Sequence, residues 1–90
     1  MTYRVLIVED DPMVAAIDRQ YVESDGRFQV VRTCRDGGEA LAALEKARPD
    51  LIILDYYTPA MGGLEFVDRL HALGRYPAII MVTSATDREI

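Results

Sequence analysis

The 90 residues include a single cysteine, Cys34, and a single histidine, His71. No internal disulfide can form, which fits a reducing compartment, and Cys34 is expected to behave as a small buried hydrophobe. His71 has no second ligand at metal-binding spacing and is expected to be structural or solvated in the last turn of a helix. No apolar run approaches the roughly 20 residues of a membrane span. Met1 runs straight into an apolar strand, so no signal peptide is expected. Positive charge is also short. Ten Lys and Arg against fifteen Asp and Glu leave a net charge of −5, which argues against nucleic-acid binding by this segment. Repeats, low-complexity tracts and linkers are missing, and no G-x-G-x-x-G follows the first strand, which excludes a Rossmann cofactor site. What remains is one small cytoplasmic domain, half of it apolar and so able to build a core.

Hydrophobic periodicity divides the chain into alternating strands and helices. Tyr3 to Val8 reads as a strand. Asp11-Pro12 opens a helix, with Asp as N-cap and Pro at the first helical position. Val14, Ile17, Tyr21 and Val22 would be its buried stripe, and Ser24-Asp25-Gly26 ends it. Phe28 to Arg32 is a less apolar strand that suits a sheet edge. Asp36 to Glu39 turns into a second helix with Leu41, Leu44 and Ala47 on one face, stopped at Arg48-Pro49. Leu51 to Leu54 is a short, branched run that reads as a strand buried on both faces. After Gly62-Gly63 comes a third helix with Leu64, Val67 and Leu70 as its stripe, flanked by Phe66 and Leu73, and Gly74 just past its end. Ala78 to Val82 is a fourth strand, closed by Thr83-Ser84, and another helix could be starting at Ile90. The order β-α-β-α-β-α-β with short connections predicts an α/β fold with a doubly wound parallel sheet.

Two of these strands end in acid. Glu9-Asp10-Asp11 follows the first and Asp55 follows the third. A sheet order of 2-1-3-4 would set those ends side by side at the topological switch point, where open α/β sheets bind ligands. Asp11 is accounted for as a helix cap, which leaves Glu9 and Asp10 to share a site with Asp55. Clustered carboxylates repel each other and are costly to desolvate. A cation relieves this, and hard oxygen donors with room for waters suit Mg²⁺.

Taken together, Glu9-Asp10, Asp55, Pro59 four residues later, Gly63 before the third helix and Thr83 after the fourth strand resemble the receiver domain of two-component response regulators. The stretches VLIVEDDPMVA, DYYTPAMGGLEF and VTSATD are similar to those of citrate and C4-dicarboxylate-type transcriptional regulators. The resemblance implies a flavodoxin-like fold and a non-enzymatic phosphoacceptor. In it Asp55 takes a phosphoryl group from a histidine kinase and relays the signal to an output domain. It implies Mg²⁺ held by the Asp10 and Asp55 side chains and the Tyr57 backbone carbonyl, with Glu9 acting through water. Thr83 would contact the phosphoryl group and act as the switch.

The same resemblance marks departures. A fourth helix, a fifth strand bearing a phosphate-pairing lysine and switch aromatic, and a fifth helix are not found in residues 1–90. The expectation is therefore a receiver truncated after its fourth strand, slow to be phosphorylated. Gly62, at a normally polar position, should loosen its turn, and Tyr57 could shield the site from water. Two other classes compete. One is a receiver-like interaction module that is never phosphorylated. The other is an aspartate-nucleophile phosphatase, which would carry a second carboxylate where Tyr57 stands. Uncovered, Ile79 to Val82 would form an exposed apolar edge, so a dimer or an assembly with exchanged elements is expected.

Overall fold

The computed structural model describes residues 2–83. It contains β1 (Tyr3–Val8), α1 (Pro12–Glu23), β2 (Phe28–Cys34), α2 (Gly37–Ala47), β3 (Leu51–Asp55), α3 (Gly63–Ala72) and β4 (Ala78–Val82). All strand pairs are parallel, and the order is β2-β1-β3-β4. This is the doubly wound arrangement that the alternation of strand and helix predicts. Ser84 and any helix beginning near Ile90 lie outside the described residues.

Capping sets the helix boundaries. Asp11 Oδ1 accepts from the N–H groups of Met13 and Val14 at 2.9 and 3.4 Å, ahead of Pro12. Asp36 Oδ1 accepts from Glu39 N–H at 2.8 Å, while Glu39 reaches back to Arg35 N–H at 3.0 Å. Those bonds supply partners for helix donors that have none within the helix. At the end of α3, Gly74 takes φ +74°, and its N–H bonds to His71 O while Arg75 N–H bonds to Leu70 O. This is a Schellman closure, which requires a left-handed residue and so favours glycine.

β2 runs two residues beyond the expected Arg32. Its irregular alternation has a cause: Val5 pairs with Val30 but Leu6 pairs with Arg32, leaving Val31 as a bulge. The extra residue reverses the phase of the strand. Phe28 and Val30 therefore pack on the α1 face, and Val31 and Cys34 on the opposite one.

The two faces of the sheet are filled unequally. Under α2 and α3 lie Leu6, Val8, Cys34, Ile52, Leu54, Phe66 and Leu70 with the buried alanines of α2. On the other face only Val5, Ile7 and Val30 are fully buried, with Leu51, Ile53, Phe28 and Val22 partly so. β3 is thus buried on one face and half-covered on the other, not on both as its continuous apolar run predicts. The reason is geometric. Four strands at about 4.8 Å spacing make a face wide enough for two helices of about 10 Å diameter, and among the described residues α1 alone covers this one.

Helix stripes shift accordingly. In α1, Ala15 is the buried residue and Val14 and Val22 are half-buried, while Ile17 and Tyr21 are 56% and 79% exposed. Tyr21 lines the groove over Ile53 and Ile80. In α3, Phe66 and Leu70, one helical turn apart, are buried and Val67 is half-buried, while Leu64 and Leu73 lie outside. Phe66 is central to that stripe rather than flanking it. Gly63 explains the close fit: a Cβ there would lie 3.2 Å from the Tyr56 Cα.

Candidate functional site

The site lies where β1 and β3 end. Val8 is in register with Leu54, so Glu9 emerges beside Asp55. One carboxylate oxygen from each of Glu9, Asp10 and Asp55 falls within 4.8 Å of the others. Glu9 and Asp55 are buried, at 5% and 4% exposure, whereas Asp10 faces solvent. Backbone geometry fixes the pair in place. Glu9 N–H bonds to Cys34 O at 2.8 Å, Glu9 Oε2 accepts from Asp11 N–H at 3.1 Å, and Asp55 Oδ1 accepts from Tyr57 N–H at 3.1 Å.

Electrostatics follow from this crowding. Burial, then the charges of Asp55 and Asp10, push Glu9 up from 4.5 to about 7, against the bond from Asp11 N–H. Burial is the larger cause, and the neighbouring carboxylates add to it by repelling the charged form. The donor set is all carboxylate oxygen, with a solvent-open side at Asp10, and so fits a hard divalent ion that keeps several waters.

Asp11 caps α1 and lies outside the triad, as expected. Tyr57 contributes its N–H to Asp55, and its 55% exposed ring meets Tyr56 edge-on at 4.7 Å. Both rings line an open cavity of about 560 Å³ with Asp10, Pro59 and the first turn of α3. Thr83 follows Val82, which is in register with Asp55. It is exposed and lines a separate apolar groove with Glu9 and Ile80. Between β3 and α3, Thr58 Oγ1 donates to Met61 O, and Met61 N–H reaches Pro59 O across Ala60, whose φ is +67°. That is a γ-turn of the strained hand. Gly62, by contrast, has φ −68°, so the unusual backbone of this turn belongs to Ala60 and not to the glycine.

Asp18 is the acid that sequence patterning did not single out. It sits one turn from both Val14 and Val22 on the inward side of α1, and burial together with the Asp55 charge raises its pKa. Its i+4 spacing from Val14 was the available signal. Cys34 is fully buried, and desolvation pushes its thiol up to about 11. His71 is exposed and stacks on Tyr76 at 5.0 Å. No described helix is long and apolar enough to cross a membrane.

A parallel sheet of order 2-1-3-4 with acids converging at its switch point defines a class of α/β ligand-binding domains. Residues 5–90 match the response regulator receiver domain family, and the chain belongs to it. It is 48% identical over 87 residues to the transcriptional regulatory protein CitT of Halalkalibacterium halodurans, covering 94% of this chain and 38% of that protein. It is 37% identical over 87 residues to the probable C4-dicarboxylate response regulator DctR of Priestia megaterium, covering 97% of this chain and 38% of that protein. The chain thus spans about two fifths of these curated relatives. Among solved structures, the MaeR response regulator bound to beryllium trifluoride matches with a TM-score of 0.83 at 33% identity, covering 94% of this chain and 69% of that one. The chain is therefore a member of the response regulator receiver domain family, and the relatives it resembles include a probable C4-dicarboxylate response regulator.

Proposed function

We propose that Asp55 accepts a phosphoryl group from the phosphohistidine of a histidine kinase. In this reading residues 1–90 form the amino-terminal part of a cytoplasmic regulator's receiver and relay the signal to a transcriptional output domain. The observation that carries the proposal is the convergence of Glu9, Asp10 and Asp55 on one point, with Asp55 buried at the end of a central strand. The binding of beryllium trifluoride by MaeR supports an acceptor carboxylate in this place.

Asp55 suits the role because a carboxylate needs no general base at neutral pH. Its oxygen attacks phosphorus as the P–N bond to histidine breaks, and the acyl phosphate forms while the imidazole leaves. Tyr57 N–H holds Oδ1 at 3.1 Å and so orients the free oxygen. Asp10 and Asp55 would hold Mg²⁺ with the Tyr57 carbonyl, and Glu9 would act through water. When bound, the ion supplies positive charge to the phosphoryl oxygens. Thr83 would donate its hydroxyl to the phosphoryl group and so act as the switch residue. The Tyr56–Tyr57 pair would limit the access of hydrolytic water to the product.

Incubation with acetyl phosphate and Mg²⁺, followed by mass spectrometry of peptides, tests the assignment. Labelling on Asp55 is expected, absent in Asp55→Asn and strongly reduced in Asp10→Ala. Failure to label Asp55 with either acetyl phosphate or a phosphorylated kinase would favour a receiver-like interaction module. Catalytic turnover of the phosphoryl donor would favour a phosphatase.

A further inference from the structure

We propose that Gly37 and Met61 form the joint that positions the loop after β3 for phosphoryl transfer, a role that rests on the reading of Asp55 as the acceptor. That loop carries the Tyr57 N–H that holds Asp55 Oδ1 at 3.1 Å. Backbone bonds fix its two ends. Tyr56 N–H reaches Val82 O at 2.8 Å, and Gly63 N–H reaches Tyr56 O at 3.0 Å. Between them, Thr58 Oγ1 donates to Met61 O and Met61 N–H to Pro59 O, bonds that shape the loop without tying it to another element. The Met61 side chain supplies the tie. It is half-buried, packs against the core under α2 and α3, and converges with Phe66 on Gly37.

Gly37 is the first residue of α2 and is buried. Gly74 is the one glycine with positive φ among the described residues, so no turn requires glycine at Gly37, and helix propensity disfavours it. Space requires it. A Cβ at Gly37 would lie 2.9 Å from Met61 Sδ, 3.2 Å from Phe66 Cδ1 and 3.3 Å from Met61 Cβ. Phe66 is fully buried in a close-packed core and cannot retreat. Rotation of the Met61 side chain moves Sδ but leaves Cβ where the backbone puts it. The loop at Met61 therefore has to shift. Gly38 shows the contrast: it is exposed, next along the same helix, and its Cβ would meet only Asp36 Oδ1, at 3.4 Å. The joint has a second arm. Just before the cap Asp36, Cys34 O accepts from Glu9 N–H at 2.8 Å. The start of α2 is thus fastened to the Glu9 side of the site through β2 and to the Asp55 side through Met61. Because the ends of the loop are held, displacement at Met61 is carried to Tyr57 and so to the free Asp55 oxygen. A shift of a few tenths of an ångström there is expected to slow transfer about tenfold, since about 1 Å of misplacement costs about 10²-fold.

Gly37→Ala and Gly38→Ala, each alone and combined with Met61→Ala, test the joint by two readouts. One is the rate of Asp55 labelling by acetyl phosphate with Mg²⁺. The other is the Tyr57 amide resonance in ¹H–¹⁵N spectra, recorded without any phosphoryl donor. Gly37→Ala should slow labelling and shift the Tyr57 amide. Gly38→Ala brings the same gain in helix propensity without the crowding, and should change neither. In the Met61→Ala background Gly37→Ala should lose most of its effect on both readouts, because Sδ, the closest atom, is gone. A wild type that is never labelled on Asp55 overturns the acceptor reading and leaves the joint standing on the Tyr57 resonance. An unshifted Tyr57 amide in Gly37→Ala overturns the joint, as does an equal shift in Gly38→Ala or a full shift in the Met61→Ala background. A labelled wild type matched in rate by Gly37→Ala overturns its role in transfer.

Discussion

Replacing Glu9 with glutamine should stabilise the metal-free protein at pH 8 and leave it unchanged at pH 4. Glutamine keeps the length of the side chain and an oxygen that can accept from Asp11 N–H, so the substitution removes charge and little else. Glu9 is held at about 7 in the fold against 4.5 for the free group, chiefly by burial and then by Asp55 and Asp10. Because the folded state binds this proton more tightly than the unfolded chain, its stabilising effect is complete below pH 4.5 and is lost as pH rises through about 7. At about 1.36 kcal/mol per pH unit the ceiling is about 3 kcal/mol. Water entering through the open side at Asp10 lowers this toward about 1.5 kcal/mol, since screening weakens every charge term. For a domain of this size such a gain raises Tm by roughly 10 °C. Thermal melts in EDTA at matched protein concentration, from pH 4 to 8, supply the test. The wild type should lose stability across that range while the variant stays flatter, and the two should coincide at the acid end. A Tm difference independent of pH would refute the electrostatic account, and so would a variant less stable than wild type at pH 8.

Two further outcomes concern the backbone. Ala60→Gly should stabilise the fold by about 1 kcal/mol, because a left-handed backbone costs an L-residue about 1–2 kcal/mol and glycine little; urea unfolding with an unchanged m-value would show it, and a loss of stability would mean that the Ala60 methyl is needed. Asp11→Ala should cost about 1 kcal/mol, whereas Asp11→Asn should change stability by a few tenths only. Neither should weaken Mg²⁺ binding followed by tyrosine fluorescence, and an equal loss of binding in Asp11→Asn would show that Asp11 belongs to the acid site.

Much of this architecture was legible because local and global preferences agree. Asp11-Pro12, Arg48-Pro49 and Gly74 fixed element ends by backbone chemistry that does not depend on packing. The strand order then brought Glu9, Asp10 and Asp55 together without any further information. Burial was harder to read. Periodicity identifies which residues share a helix face but not how much surface is available to cover them. Ile17, Tyr21 and Leu64 were therefore overcounted as core, and β3 was read as buried on both sides. The Val31 bulge could not be inferred either, because it shows in the sequence only as a broken alternation. Asp18 escaped notice because a carboxylate at an apolar position on α1 reads as a solvated charge.

The unequal filling of the two faces has a dynamic consequence. Local opening of a protein follows the elements with the least buried apolar contact. The α2–β3–α3 unit holds its own core around Phe66 and Leu70, whereas α1 is tied down by Ala15, half-buried Val14 and Val22, and its Asp11 cap. Among the described helices α1 is therefore expected to detach first, and Glu9, Asp10 and Asp11 lie at its root. Any ligand that neutralises those acids draws its binding free energy partly from the same equilibrium. Occupancy of the acid site and the docking of α1 are in this sense two readouts of a single balance. Of the described helices, the one with the least buried apolar surface is also the one best placed to register arrival at the site.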